Sequence, residues 1–421
     1  MTITQSSTLS NSLRIQYLND YQQGAMRRRF YDQVAMPIDG LSAAAGAAQA
    51  MADLKQGGTV RITFLSDMMV TTTPLSEISD ITPQVLADAT ADVTVDMFGD
   101  GIQTSQKALI QYFTNYGSSS PAKVGLNMMD LVDFKAAEAA LNGTLYTRPA
   151  ARTSLFAGTT TNYISDGVFA NVAASLSNFS CPGWEGEGRP TSWAALMDHF
   201  VLNDIARGAN GTIILNVAQY QDKEMVLNNE IGRLHSFRIV ASGFAKTLYG
   251  AGSTSGHTVT ATSITTAAAR LARTIAVGST TNYAVGDWIN ILEGEETGST
   301  LYPNNERARI ASGSSTALVI VGEGPNGGLR FSHAVGHAVT TKHSVHTVLF
   351  AGPQSLVKVW APEIGEFGEL VGPKTQGLAN QWTSFAWKWF ILEPLHEATH
   401  ATNPEYRWTP AMATPRHSLV Q

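Results

Sequence analysis

Polar and apolar positions alternate in two early segments of the chain. Gly58 to Phe64 reads GTVRITF and Ala91 to Phe98 reads ADVTVDMF. Both carry the two-residue period of a strand with one wet face. The connection between them, Leu65 to Thr90, contains Pro74 and Pro83 and few large apolar residues. A structureless connection of that length is unusual inside a compact domain. A lone two-stranded ribbon is also marginal in water. The segment therefore reads as an arm that rests on a neighbouring copy of the chain. The return strand is expected to end at Gly99-Asp100-Gly101, with Thr104 capping a helix that carries Leu109, Ile110, Tyr112 and Phe113.

Helical periodicity is strongest after Ser118-Ser119-Ser120-Pro121, where hydroxyl caps precede a first-turn proline. Val124, Met128, Leu131 and Phe134, with Leu141 further on, form an apolar stripe that ends at Asn142-Gly143. About 20 residues of helix span about 30 Å, which makes this a spine helix. Its Met-plus-aromatic stripe reads as core, not as a ligand box. Upstream, Leu13, Tyr17 and Tyr21 recur at helical spacing, with Leu18 and Met26 more loosely. The stretch from Leu41 to Leu54 is Ala-rich and helix-prone. Residues 144 to 190 are polar with few periodic signals. Thr191-Ser192 then caps an expected helix over Trp193 to Arg207. A strand (Thr212 to Val217), a helix (Ala218 to Leu227), a turn (Asn228 to Arg233) and a strand (Leu234 to Val240) follow.

Residues 246 to 345 change character. They are rich in Gly, Ser and Thr, with β-branched runs at His257 to Thr260, Thr274 to Val277, Asp287 to Leu292, Ala308 to Ile310, Ala317 to Val321 and His337 to Thr341. Turn signals at such intervals predict a small β-barrel or sandwich, inserted into a helix–strand domain that resumes afterwards. Thr347 to Phe350 and Leu356 to Trp360 read as extended. Trp382 to Leu392 (WTSFAWKWFIL) is a dense aromatic strand with Phe385, Trp387, Trp389 and Ile391 on one face. So apolar a strand belongs at the centre of a sheet, packed on the long helix. The tail holds Pro404, Pro410 and Pro415. The fold class is α+β.

Composition narrows the function. The chain has 421 residues, 43% hydrophobic and only 15% charged, which suits a protein that buries much of itself against partners. Its net charge is −6 and its pI about 5.9. That argues against a basic nucleic-acid binder, which needs clustered Lys and Arg. Cys181 is the single cysteine, so no intrachain disulfide and no thiolate metal cage is expected. The start, MTITQSSTLSNS, lacks the basic and apolar regions of a signal peptide. No apolar run of about 18 residues is present to span a membrane. These features predict a soluble protein of a reducing compartment.

Candidate chemistry is sparse. Arg27, Arg28 and Arg29 form the one sharp basic cluster. Three charges fall short of a nucleic-acid patch, so a solvated face or a protein contact is the better reading. His199 reads as an ordinary surface or core residue. His333, His337, His343 and His346 fall close together, but their spacing matches no common metal-ligand pattern. His396-Glu397-Ala398-Thr399-His400 is formally H-E-x-x-H, which on a helix would hold zinc with Glu397 as general base. Here it follows Pro394 and a strand-like run, and Pro404 closes it. No third histidine appears at the metzincin spacing. A zinc peptidase is thus the weaker alternative, beside a virion decoration or adhesin protein built on the β-insertion. No catalytic residue, cofactor or metal is expected.

These pieces together resemble the major capsid protein of tailed bacteriophages, the fold shared with encapsulins. The local matches are Pro74-Leu75-Ser76-Glu77 followed by Ile81-Thr82-Pro83 in the arm, and Asn229-Glu230-Ile231-Gly232 with Phe237-Arg238-Ile239-Val240. Gly377-Leu378-Ala379-Asn380-Gln381 before the aromatic strand is a third. The β-insertion departs from the simplest members. The resemblance implies an N-terminal arm (1–57), an extended β-hairpin loop (58–103) and a peripheral domain (104–190) with its spine helix at 121–142. An axial α/β domain (191–245, returning at 346–380) would be interrupted by the inserted β-domain (246–345), and a C-terminal strand and tail (381–421) would close the fold. It further implies self-assembly through hexamers and pentamers into an icosahedral shell around double-stranded DNA, held without sequence-specific binding. Assembly would take place in a host bacterial cytoplasm, without a membrane. Scaffold, portal and cement proteins would be further partners. Arg27, Arg28, Arg29, Pro74, Leu75, Glu77, Ile81 and Pro83 are the expected intersubunit contacts.

Overall fold

The structure, a computed structural model, describes residues 10–26, 30–37, 59–65, 88–105, 107, 116–141, 166–178, 183, 192–207, 215–216, 230–250, 260–296, 301–342, 344–352, 356–358, 369–376, 382–392 and 409–413. In chain order, α1 (Ser10–Met26) and a short 3-10 turn (Tyr31–Val34) lead to β1 (Ala35–Pro37), β2 (Thr59–Leu65) and β3 (Asp88–Ser105). Next come α2 (Tyr116–Leu141), α3 (Asp166–Asn178), β4 (Trp193–Met197) and α4 (His199–Arg207). The strands β5 (Leu215–Asn216), β6 (Glu230–Leu234), β7 (Phe237–Ala241) and β8 (Thr247–Leu248) follow. Six more are β9 (Ala261–Thr266), β10 (Thr274–Val277), β11 (Trp288–Leu292), β12 (Glu306–Gly313), β13 (Ala317–Gly322) and β14 (Ala338–Thr340). The last are β15 (Val345–Ala351), β16 (Leu356–Lys358), β17 (Glu369–Gln376), β18 (Trp382–Leu392) and β19 (Thr409–Ala413). The architecture is mixed α+β. Among the described residues no helix is long and apolar enough to cross a membrane. The chain divides into two units, Met1–Ala136 with Gln354–Arg407, and Ala137–Pro353 with Trp408–Gln421.

The first unit is a four-stranded antiparallel sheet, order β17-β18-β3-β2, with α1 and α2. The aromatic strand β18 is internal to it. Tyr21 and Ala25 of α1 pack on Val124, Met128, Met129 and Val132 of α2, and Phe98, Ile102 and Leu370 of the sheet join this cluster. The Tyr21 hydroxyl meets Met128 Sδ at 2.7 Å, and burial pushes its phenol well above the usual range. The helices approach closely because each offers a glycine at the crossing. A Cβ on Gly24 would lie 2.3 Å from the Ala122 carbonyl oxygen, and one on Gly125 would lie 2.2 Å from that of Tyr21. Below the crossing, Asp133 accepts the Phe30 N–H at 3.0 Å.

Three expectations need correction here. The spine helix begins at Tyr116, so Pro121 lies inside its first turns. Gly99-Asp100-Gly101 does not end the return strand, and Thr104 is no helix cap. Strand β3 runs straight through both to Ser105, because β18 pairs with it continuously from Val95 onward. Cross-strand pairing overrides the local turn propensity of the glycines.

The second unit joins a mixed sheet, order β19-β15-β4-β7-β6-β5, to a closed six-stranded barrel, order β10-β13-β12-β11-β14-β9. The sheet core is Phe169, Trp193, Met197, Phe237, Ile239 and Phe350 with α3 and α4 residues such as Val172 and Val201. Phe169, Phe237 and Phe350 stack edgewise or tilted, with centroids 4.7–5.9 Å apart. The barrel has its own core of Ile264, Ile275, Ile289, Ile310, Ile320 and Val339. Its first described strand is Ala261–Thr266, and His257 to Val259 of the expected run lie outside the described residues.

The expected helix over Trp193 to Arg207 is half strand. Trp193–Met197 is β4, parallel to β7, antiparallel to β15, and buried at every position. Asp198 then caps α4, its Oδ1 accepting the Val201 N–H at 2.8 Å. The expected turn over Asn228 to Arg233 is mostly strand β6, and the reversal falls at His235-Ser236. Helix α3 lies in the stretch read as lacking periodicity. Of the expected helix after Thr104, past Ser105, only Lys107 is described, and it is helical; the helix expected over Ala218 to Leu227, Leu41 to Leu54 and the tail beyond Ala413 fall outside the described residues.

Candidate assembly interface

Strand β3 is 18 residues long, roughly 60 Å of extended chain. Its two halves have different partners. Val95–Ser105 pairs with β18, and Asp88–Thr94 pairs with β2. Among the described residues the distal half is a two-stranded ribbon, Thr59–Leu65 against Thr94–Asp88, that continues the sheet past the end of β18. The register places Val60 opposite Val93, Ile62 opposite Ala91 and Phe64 opposite Ala89. On the alternate positions it places Thr59 opposite Thr94, Arg61 opposite Asp92 and Thr63 opposite Thr90. Side-chain period along a strand is two, so the first set shares one face and the second set the other.

The apolar positions of the ribbon continue the open face of the sheet. Phe98 and Ile102, at even positions of β3, join the helix-packed core. The odd positions Ala89, Ala91, Val93, Val95 and Met97 belong to the opposite face, with no register shift between them and the sheet. Met97 is 64% exposed. The register also sets Phe390 opposite Met97 and Leu392 opposite Val95. Phe385, Trp387, Trp389 and Ile391 occupy the alternate, helix-side positions of β18. Apolar positions therefore run along the face away from the helices, from β18 out along the ribbon.

The second unit holds several buried polar contacts. At the meeting of barrel and sheet, Glu296 accepts Lys246 Nζ at 2.9 Å, the Tyr249 N–H at 2.9 Å and the Tyr302 N–H at 3.0 Å. Burial pushes the Tyr249 phenol up. Arg307 lies 5.2 Å from the Phe200 ring centroid and 5.0 Å from that of Trp288, and its Nε donates to Glu323 at 2.8 Å. Asp198 is buried beside His346, hydrogen-bonded to its Nδ1. Burial alone would raise the Asp198 carboxyl. The His346 hydrogen bond and charge, the Val201 N–H and Arg307 outweigh it and hold the group below the usual carboxylate range. In the barrel, Tyr283 donates to the Val339 carbonyl at 2.8 Å, and burial leaves its hydroxyl pushed up to about 12.

The four clustered histidines separate. His333 and His337 face each other in the barrel, and His346 sits on β15 against Asp198. His343 lies outside the described residues. Among the described residues no group of three or more His, Cys, Asp or Glu is arranged to hold a metal ion. His199 is exposed at the start of α4. The residues of the H-E-x-x-H sequence, His396, Glu397 and His400, lie outside the described residues. So do the expected contact residues Arg27, Arg28, Arg29, Pro74, Leu75, Glu77, Ile81 and Pro83. The face that the ribbon positions share with exposed Met97 was missed by sequence reasoning. Its signal was there in Phe390 and Leu392, which interleave with the aromatic positions already assigned to the core.

No family model matches the chain, and no curated protein matches it. Among solved structures the chain is similar to the capsid of Ralstonia phage GP4, at 10% identity and a TM-score of 0.49, covering 85% of this chain and 84% of that one. It is similar to the head structure of Helicobacter pylori bacteriophage KHP40, at 10% identity and 0.47, covering 86% and 85%. The capsid asymmetric unit of cyanophage Pam1 is similar at 10% identity and 0.43, covering 86% of each chain. All three TM-scores lie below one half.

Proposed function

We propose that this chain is a phage major capsid protein, which self-assembles through hexamers and pentamers into an icosahedral shell around double-stranded DNA. The observation that carries the reading is the apolar face of the β2–β3 ribbon and its continuation at Met97. A two-stranded ribbon is marginal alone, and large apolar positions lined up on a ribbon call for cover. Burying a Val, Ile or Phe side chain yields about 1.5–3 kcal/mol, so the stripe offers a substantial assembly free energy even after association entropy is deducted. A second copy of the chain is the natural cover, because a shell subunit needs head-to-tail surfaces that close on themselves. The motif resemblances in the arm and before β18 point the same way. The role is structural and not enzymatic. The ribbon and the residues flanking it, Pro74, Leu75, Glu77, Ile81 and Pro83, form the intersubunit contact together with Arg27, Arg28 and Arg29. The acidic net charge suits a wall that does not grip packaged DNA.

Electron microscopy of the purified protein is the test. Wild type should form uniform shells or hexameric rings. Met97→Asp, at an already exposed position, should leave a folded subunit that does not assemble, and deletion of Leu65 to Thr90 should do the same. A wild-type protein that stays monomeric at all concentrations, or a Met97→Asp variant that forms normal particles, overturns the reading.

A further inference from the structure

The barrel turn at residues 333–337 holds chemistry for which a shell has no evident use. His333 is buried, and its Nε2 lies 2.8 Å from Glu306 Oε1. The Glu306 carboxylate already accepts the Arg330 N–H at 2.7 Å and the Phe331 N–H at 3.0 Å. It therefore acts as an acceptor throughout, and His333 donates to it from Nε2. That fixes the tautomer and leaves a lone pair on His333 Nδ1. This atom faces His337 Nδ1 at 3.2 Å, with the rings 76° apart in plane. Two nitrogens bound to one tetrahedral zinc at about 2.0–2.1 Å lie roughly 3.3–3.4 Å from each other. The pair thus stands at nearly the separation a zinc ion requires, with a carboxylate behind the inner imidazole, as histidine ligands of metals commonly have.

The backbone holds both residues in place. His333 exchanges two hydrogen bonds of 2.9 Å with Ala268. The Gly336 N–H donates to the Ile264 carbonyl, and the Ile264 N–H donates to that of His337, each at 2.9 Å. Gly336, at φ 93°, makes the turn that brings the fifth residue back over the first. Two imidazoles hung from a backbone pinned at Ala268 and at Ile264 lose little freedom on binding a shared ion.

We propose that His333 and His337 form a site for a divalent transition-metal ion of the zinc class. Both Nδ1 atoms are ligands, Glu306 orients the inner one, and water completes the coordination. The bland alternative is a single N–H···N hydrogen bond between the rings.

The test uses the full chain, stripped with a chelator and titrated with zinc chloride against a chromophoric zinc indicator. Wild type is compared with His337→Ala and His337→Cys, changes at a half-buried turn residue outside the barrel core. Wild type should bind one equivalent more than His337→Ala, or bind that equivalent about tenfold or more tightly. Zinc should raise the melting temperature of wild type more than that of His337→Ala. His337→Cys should restore binding and, with cobalt(II), give a thiolate charge-transfer band that wild type lacks. Equal stoichiometry and affinity in wild type and His337→Ala would overturn the proposal and leave the hydrogen bond alone, as would a His337→Cys protein with no cobalt band.

Discussion

Replacing Gly24 or Gly125 by alanine tests the close α1–α2 crossing. An interior helical Gly→Ala change ordinarily stabilises a helix, by about 0.8–1.0 kcal/mol. Here the new methyl would sit 2.3 Å from the Ala122 carbonyl oxygen, or 2.2 Å from that of Tyr21. Each falls roughly 1 Å short of ordinary van der Waals contact. The obstacle is backbone in both cases, so no side-chain rotation relieves it, and the helices must part. Parting them loosens Tyr21 from Met128 and the rest of that cluster. Overpacking of this kind costs about 1–3 kcal/mol and occasionally more, which outweighs the propensity gain at all but the low end of that range. We expect a net loss of up to about 2 kcal/mol for each single variant. The double variant should lose less than the two together, because helices already parted for one methyl admit the second more cheaply. Urea denaturation followed by circular dichroism measures all three. A Gly24→Ala or Gly125→Ala protein that is more stable than wild type would refute the close crossing.

Three further expectations concern the second unit. Asp198→Asn keeps the α4 cap but removes the charge facing His346 and should destabilise at neutral pH by about 1–3 kcal/mol. Because the folded carboxyl titrates below its ordinary value, the stability it confers is present above about pH 4 and is lost as pH falls through the folded value. The difference between variant and wild type should therefore shrink in acid, and a pH-independent difference would contradict the assignment. Glu296→Ala removes the acceptor that Glu296 gives Lys246 and two backbone N–H groups and should lose about 1–3 kcal/mol, read as a lower thermal midpoint. Phe350→Ala opens a cavity against Phe169 and Phe237. It should lose about 3–5 kcal/mol in the same denaturation assay, and a loss below 1 kcal/mol would speak against that packing.

What could be read from the sequence follows from how each segment is buried. The spine helix and β18 are long, and their patterns repeat often enough to outvote noise. The barrel strand Thr274–Val277 was legible because turn residues bracket a β-branched run. Trp193–Met197 was misread because every position is buried, so the strand lacks alternation, and Trp193, Leu196 and Phe200 happen to satisfy a helical period. Helix α3 carries Val168, Phe169, Val172 and Leu176 at helical spacing, all buried, but its polar surroundings hid a run of 13 residues. Glu306 could not be tied to the histidines, since 27 residues separate it from His333 and only the barrel's closure brings them together. Alternation in the ribbon was legible. The face it shares with Met97 was not, because that depends on the register between β3 and β18.

How the apolar stripe is covered decides what kind of assembly results. If it packed on the same stripe of a second copy about a two-fold axis, both would be satisfied at once, and growth would stop at a dimer. If it lies on a different surface of the next copy, each subunit keeps one donor and one acceptor surface, and the contact repeats until a ring or shell closes. The ribbon favours the second arrangement. Its distal residues pair only with each other among the described residues, about 23 Å of strand beyond the last β18 pair. A projection of that length is suited to reaching over a neighbour's body. Two ribbons meeting face to face would each cover the other yet still lack the firm support that a folded sheet or helix layer provides. By register the stripe also does not stop at the base of the ribbon but shares its face with exposed Met97. On the proposed function, a subunit built this way would hold its own core with α1, α2 and one face of the sheet, and would offer the other face to its neighbours.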